Sequence, residues 1–341
     1  MAPSAPPGAR VKRAAALAAV ALLAWASPAA AQTHVLVITG ISGEARYADA
    51  FHEWATMLIA AARERWGVPA SNIVYLAEDV ERAPSLIKAR STSENVEREL
   101  SELAARSAPG DQVIIVLIGH GNTRGDDSKF NLPGPDMTAQ QFDQLLKGLT
   151  ERKVAFVNAS SSSGDFIAKL SGANRVIITA TRSGRERNET VFPRFFVEAF
   201  ADEDADVNKD GRISLLEAFE YARREVARSY ERDGRLLTEH ALLDDNGDGE
   251  GSGEPDADAA DGALAGTMYM AAGAASRTPA TTDPELARLY EEREELEARV
   301  ARLRARKGEI AEGAYERQLE DLLVELALKA REIRELEEKG G

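Results

Sequence analysis

Val113-Ile114-Ile115-Val116-Leu117-Ile118-Gly119-His120-Gly121 is the stretch whose reading decides the fold of this chain. Its first six residues are all apolar and mostly β-branched. They have no polar face to show to water, so they predict a strand covered on both sides of a sheet. The Gly-His-Gly that follows stops the strand and leaves an imidazole at its carboxyl end. Similar short runs flank it. Val35 to Thr39, Ile73 to Leu76, Val154 to Val157 and Val176 to Thr179 predict four more strands. Between them, apolar residues recur at helical spacing over Tyr47 to Trp66, stopping at Gly67. The same spacing covers Ser93 to Arg106, with Ser93 as N-cap, and Thr138 to Leu149. Strands alternating with helices predict an α/β fold with a mostly parallel sheet.

Open parallel sheets gather their ligands at the carboxyl ends of the strands. His120 stands at one such end. Ser160-Ser161-Ser162-Ser163-Gly164 stands at the end of the next predicted strand. If the two strands are neighbours, the imidazole and the hydroxyls open into one crevice. A lone Gly-His-Gly is a common turn; the order of His and then nucleophile on consecutive strands carries the weight. On the plainer reading, the serines only cap the helix running to Leu170.

Further residues extend the pattern. Ala48-Asp49-Ala50-Phe51-His52-Glu53-Trp54 is similar to an A-D-A-C-H-A-Y stretch that follows the first strand of legumain-type peptidases. Gly67-Val68-Pro69, Ile73-Val74-Tyr75 and Glu78-Asp79 resemble the G-I-P, I-V and D-D segments that come next. Gly119-His120-Gly121 falls on their D-H-G, Ser163-Gly164 on the end of their E-A-C-E-S-G, and Arg185-Glu186 on a later R-E pair. Over residues 33–201 the chain thus resembles the legumain-like branch of the caspase-fold cysteine peptidases. The resemblance implies a caspase/legumain-like sandwich, a catalytic His at His120 and a peptide cleft.

The departures bear on activity. The chain has no Cys. Anchored on Ser163-Gly164, the nucleophile position holds Ser161; anchored on Val157-Asn158-Ala159, it holds Ser160. The register of the following helix favours Ser161. The acid of the family's substrate pocket becomes Ala159, its arginine becomes Ala45 beside Arg46, and the Asn that supports its His maps near Ser42. A serine needs a well-held base oriented by a third group. Asp126 and Asp127 follow on the next loop, with no assigned partner. Two readings stay open: a non-catalytic scaffold that keeps the cleft, or a hydrolase using Ser161 with His120.

Asp206-Val207-Asn208-Lys209-Asp210-Gly211-Arg212-Ile213-Ser214-Leu215-Leu216-Glu217 fits the EF-hand calcium loop D-x-[DN]-x-[DN]-G-x5-E throughout. Asp206, Asn208, Asp210, Ser214 and Glu217 offer side-chain oxygens, and Arg212 its carbonyl. Ca2+ is the expected cofactor. A second run, Asp244-Asp245-Asn246-Gly247-Asp248-Gly249, repeats half of such a loop, but Glu254 is one place early and Pro255 takes the twelfth. It reads equally as a solvated acidic turn or an irregular second site.

The remaining segments divide the chain. Residues 1–31 read as a signal peptide, with Arg10, Lys12 and Arg13 before an apolar run and Ala29-Ala30-Ala31 at the cleavage site. The run is short of the roughly 20 apolar residues a span needs, and no later segment supplies a span. Export to the periplasm or extracellular space is expected. Cleavage removes three basic residues and no acids, taking the net charge from −15 to −18. Such acidity argues against nucleic acid and leaves a protein or peptide as the expected partner. Residues 32–249 form the expected α/β domain, with the calcium loop inside it, and 250–282 a linker in which 263–270 could add an edge strand. Residues 283–339, with two apolar stripes either side of Gly308 and Gly313, predict an α-helical hairpin, or a coiled coil through which the chain self-associates. In that case the hairpin would carry the function and the α/β domain would serve as its platform.

Overall fold

The computed structural model describes residues 31–125, 127–271, 283–305 and 310–340. The expected signal peptide and Asp126 lie outside the described residues, apart from Ala31. In chain order the strands are β1 (Thr33–Thr39), β2 (Ile73–Ala77), β3 (Ala89–Arg90), β4 (Gln112–Ile118), β5 (Gly121–Arg124), β6 (Asp127–Phe130), β7 (Met137–Thr138), β8 (Lys153–Asn158), β9 (Arg175–Thr179) and β10 (Leu242–Asp244). Seven of them form one sheet in the order β10-β9-β8-β4-β1-β2-β3, parallel except for β10. The other three form a small antiparallel sheet directly after His120. The architecture is mixed α/β with a mostly parallel sheet and C-terminal helices.

The period of two along each strand sorts the core. Val35, Val37, Ile114, Val116, Ala155 and Val157 face one side, where they pack against α1 (Ala45–Ala60), α5 (Phe192–Ala199) and α6 (Leu215–Arg232). Leu36, Ile38, Ile115, Leu117, Val154 and Phe156 face the other, against α2 (Ser93–Arg106), α3 (Ala139–Leu146) and the single turn α4 (Ile167–Leu170). Every residue of β4 is buried, as its unbroken apolar run predicts. The chain leaves β1 toward β2 and later returns on its other side as β4. The carboxyl ends of β1 and β4 therefore flank the point where the strand order reverses.

Several details differ from the sequence reading. α2 is capped by Thr92, whose Oγ1 accepts from the Asn95 amide, and Ser93 is its first residue. The Ser160 to Ser163 run does not cap a helix with a side chain; it leads into a 3-10 turn, Gly164–Phe166. The edge strand is β10, whereas 263–270 holds a 3-10 turn and a single bridge from Tyr269 to Ser214. The described part of the expected linker, 250–271, is not a linker. Ala265, Met268 and Met270 are buried in the core cluster that includes α6, because burying their apolar side chains takes them out of water.

The C-terminal helices are α7 (Pro284–Ala305) and α8 (Glu312–Gly340). Leu296, Val300 and Leu303 pack on Tyr315 and Leu322, while Leu289 and Tyr290 pack on Ile333. Early α7 meets late α8, so the pair is antiparallel. It is also tied to the α/β body. Arg293 donates to the Asp210 carbonyl at 2.8 Å, Arg334 to the Lys209 carbonyl at 2.9 Å, and Arg212 to Glu297 at 2.6 Å. The hairpin is docked on the acidic loop rather than held apart from the body.

Candidate functional site

His120 and the serine run lie where the strand ends predict, at the carboxyl ends of the neighbours β4 and β8. The two ends press together at Gly121. A side chain there would strike the Ser161 carbonyl and come within 2.8 Å of Ser160 Oγ, so only glycine fits. Behind it the hydroxyls of Ser160, Ser161 and Ser163 are occupied. Ser160 donates to Asn158 Oδ1 at 2.7 Å and is fully buried. Ser161, 3% exposed, accepts from the Gly121 amide at 3.2 Å and donates to the Gly121 carbonyl at 3.3 Å. Ser163 pairs with Thr181. Among the described residues no hydrogen bond joins Ser161 or Ser160 to His120.

The imidazole faces elsewhere. Ser42, which stands where the resemblance places a supporting Asn, lies close enough for its backbone to favour the charged ring. Its ring meets Tyr47 edge-on at 4.6 Å between centroids and Phe51 at 5.2 Å. Burial lowers its pKa, outweighing the Ser42 backbone and the charge of Glu189, and so favours the neutral ring. Asp127 sits exposed at the start of β6 and has no ion pair with it.

In front of His120 lies a cavity of about 260 Å³, walled by Tyr47, Phe51 and Trp54, with Arg46, Glu189 and Arg194 at its rim. Glu189 accepts from the Tyr47 hydroxyl and so fixes one wall. Arg46 turns to Glu44, and Ala159 is buried with its carbonyl bonded to Thr190. A larger cavity, about 830 Å³, shares none of these lining residues; it is lined in part by Arg223, Glu239 and His240. Burial pushes the Glu239 carboxyl up to about 7. Both of its oxygens accept amides at the start of α5, from Val191 and Phe192, so its work there is to hold that helix end.

Two residues carry more of the site than their sequence context signals. Glu186 holds His240 at 2.7 Å and Arg182 at 3.0 Å, and its carbonyl accepts from the Ser162 amide. Ser162 has φ of 54°, and its buried hydroxyl lacks a hydrogen-bond partner. A positive φ on a non-glycine residue stores strain; a run of four identical residues gives no sign of which one bears it.

In the acidic loop, Asp206 accepts from the amides of Asp210 and Gly211, and Asn208 from that of Asp210. Glu217 accepts from the Val207 and Asn208 amides and forms a capping box with Ser214, the N-cap of α6. Burial and the charge of Asp210 raise the carboxyls of Asp206 and Glu217. Arg212, whose carbonyl is the expected ligand, also sends its guanidinium back to Asp210 at 3.0 Å. Among the described residues no three His, Cys, Asp or Glu side chains are gathered as a metal would require. The physical reason is that Glu217 is turned onto amides and Asp210 is shared with Arg212.

The chain matches no protein-family model and no curated protein. Among the described residues no helix is long and apolar enough to cross a membrane.

Proposed function

We propose that this chain is an exported, calcium-binding scaffold of the caspase/legumain type, whose peptidase cleft binds a peptide without cleaving it. The observation that carries the reading is the Ser161 hydroxyl, held between the amide and carbonyl of Gly121 with no hydrogen bond to His120 among the described residues. A serine nucleophile must give its proton to a base it touches; this one touches peptide groups. The sheet order, with one antiparallel edge strand, is compatible with the sandwich that the resemblance implies. The aromatic cavity lies just below the usual ligand-pocket range of about 300–1,000 Å³ and suits one large side chain of a peptide.

Export rests on the N-terminal sequence alone. The calcium reading rests on the donor set of the acidic loop, which is all oxygen and offers Ca2+ what it prefers. Loading requires the Glu217 carboxylate to leave its amides. Leu323, Val324 and Leu328, exposed on α8, favour self-association as an added role of the hairpin. Incubating the purified protein with a mixed peptide library and sequencing the products tests the central reading. Intact peptides are expected, with some retained on the protein. Cleavage that disappears in both Ser161→Ala and His120→Ala would replace the scaffold by a serine hydrolase.

A further inference from the structure

The sequence of the second acidic run offers no twelfth ligand, but the fold brings one in from a later turn. In the first loop Glu217 Oε1 accepts from the amides of the second and third residues, Val207 at 3.1 Å and Asn208 at 3.3 Å. In the second, Asp261 Oδ1 accepts from the amides of the second and third residues, Asp245 at 3.1 Å and Asn246 at 3.4 Å. Asp261 therefore stands where Glu217 stands. The backbones also bend alike. Positive φ falls at the fourth and sixth places in both, at Lys209 and Gly211 and at Gly247 and Gly249. In each loop the third residue's side chain accepts the fifth amide, at 2.8 and 2.7 Å.

Loop shape alone does not make a site. The group that asks for a ligand is Asp244. It is 1% exposed; its Oδ1 accepts from the Gly247 amide at 3.1 Å, and its Oδ2 is buried without a hydrogen-bond partner. An unpaired buried carboxylate oxygen is costly. Asp245 and Asp261 are buried beside it, and among the described residues no Lys, Arg or His forms an ion pair with any of the three. Asp245 uses both oxygens on the Gly262 and Ala265 amides, so it braces the turn. Burial, and then the charges of Asp244 and Asp245, push up the Asp261 carboxyl. The cluster has negative charge in excess and only oxygen donors, which calls for a hard divalent cation.

We propose that the turn at residues 244–250, closed by Asp261, binds a second Ca2+ through Asp244, Asp261, Asp248 and the side-chain oxygen of Asn246. These side chains are not gathered for a metal as they stand, so loading requires the exposed Asp248 to leave Asn246 Nδ2 and the Glu250 amide and turn inward. The first loop serves only as a backbone template, so the assignment stands whether or not that loop takes an ion. Such an ion would fasten the β10 edge to the 261–265 turn that packs on α6.

Native mass spectrometry with calcium titration of the purified protein tests this. Asp244→Asn and Asp261→Asn keep one oxygen to accept the loop amides and replace the other by an uncharged NH2. Two Ca2+ are expected in the wild type and one in each of Asp244→Asn, Asp261→Asn and Glu217→Gln. None is expected in the Glu217→Gln/Asp261→Asn double variant. Affinity at the second site should fall by about tenfold or more in either Asn variant, since ligand charge sets it. In EDTA, Asp244→Asn should melt no lower than the wild type, because it relieves repulsion. Unchanged stoichiometry in both Asn variants overturns the proposal. So does a single wild-type ion that Glu217→Gln abolishes, or a lower melt of Asp244→Asn in EDTA. A single ion lost in Asp261→Asn but kept in Glu217→Gln supports this site and refutes the first-loop assignment.

Discussion

Removing one charge from the contact between the hairpin and the acidic loop should loosen the whole body. Arg212 is 7% exposed; its guanidinium donates to Asp210 at 3.0 Å and Glu297 at 2.6 Å and lies 4.1 Å over the Tyr269 ring. Arg293, 5% exposed, has its Nε 3.5 Å from Glu297. Burial and the neighbouring Arg212 lower the Arg293 pKa, a sign that the two cations feel each other. Glu297→Gln leaves both guanidiniums with Asp210 as their main nearby acid. Breaking a buried ion pair costs about 3–5 kcal/mol. The Glu297 side chain is 12% exposed, which places the cost near the lower end, about 3 kcal/mol. At about 2 cal/mol/K per residue of unfolding entropy, a chain of this length should lose about 5 °C of melting temperature. Hydrogen exchange in α7 and α8 should quicken in parallel. The double variant Arg212→Met/Glu297→Leu removes one charge of each sign and leaves Arg293 and Asp210 to balance each other, so it should recover part of that loss. A Glu297→Gln melt within about 1 °C of the wild type, with the hairpin amides equally protected, would refute the reasoning.

Three further outcomes follow from single residues. In Ca2+ at about ten times its dissociation constant, the first loop should add about 1.4 kcal/mol of stability, and Glu217→Gln should lose that share of the gain in a denaturant titration. Ser162→Gly should stabilise by about 1 kcal/mol by relieving the positive φ; a lower denaturation midpoint would contradict it. Glu239 has a folded pKa of about 7, above its unfolded value, so the fold favours the neutral acid. Its contribution is complete below the unfolded pKa and is lost as pH rises through 7, by up to about 3 kcal/mol. Denaturation in EDTA at pH 5 and pH 8 should show a larger loss in the wild type than in Glu239→Gln, the difference being the Glu239 share.

The main sheet was legible because β1, β4, β8 and β9 are short apolar runs with no polar face. The neighbouring strand ends that bring His120 and Ser161 to one edge were legible for the same reason. The strands β5 and β6 were not, since Gly121-Asn122-Thr123-Arg124 and Asp127-Ser128-Lys129-Phe130 carry no alternation; the hairpin they form is held by Phe130 packing beneath Gly119 and Gly40. β10 is three residues long and reads as the start of an acidic turn. Met268 and Met270 belong to the core although Gly, Ala and Asp around them read as linker. The bonds that occupy Ser161 also lie beyond sequence: spacing can bring a hydroxyl near an imidazole, but which neighbour it bonds depends on angles of a few tens of degrees. The replacement of a twelfth-place ligand by Asp261 is a tertiary event with no sequence spacing to announce it.

The most direct test of the account is covalent labelling of Ser161. A fluorophosphonate reacts with a serine only when a base withdraws its proton, so intact protein mass after incubation reports whether Ser161 and His120 work together. The account predicts no mass increase in the wild type, with or without Ca2+, as in Ser161→Ala. Stoichiometric labelling that is lost in both Ser161→Ala and His120→Ala would contradict it.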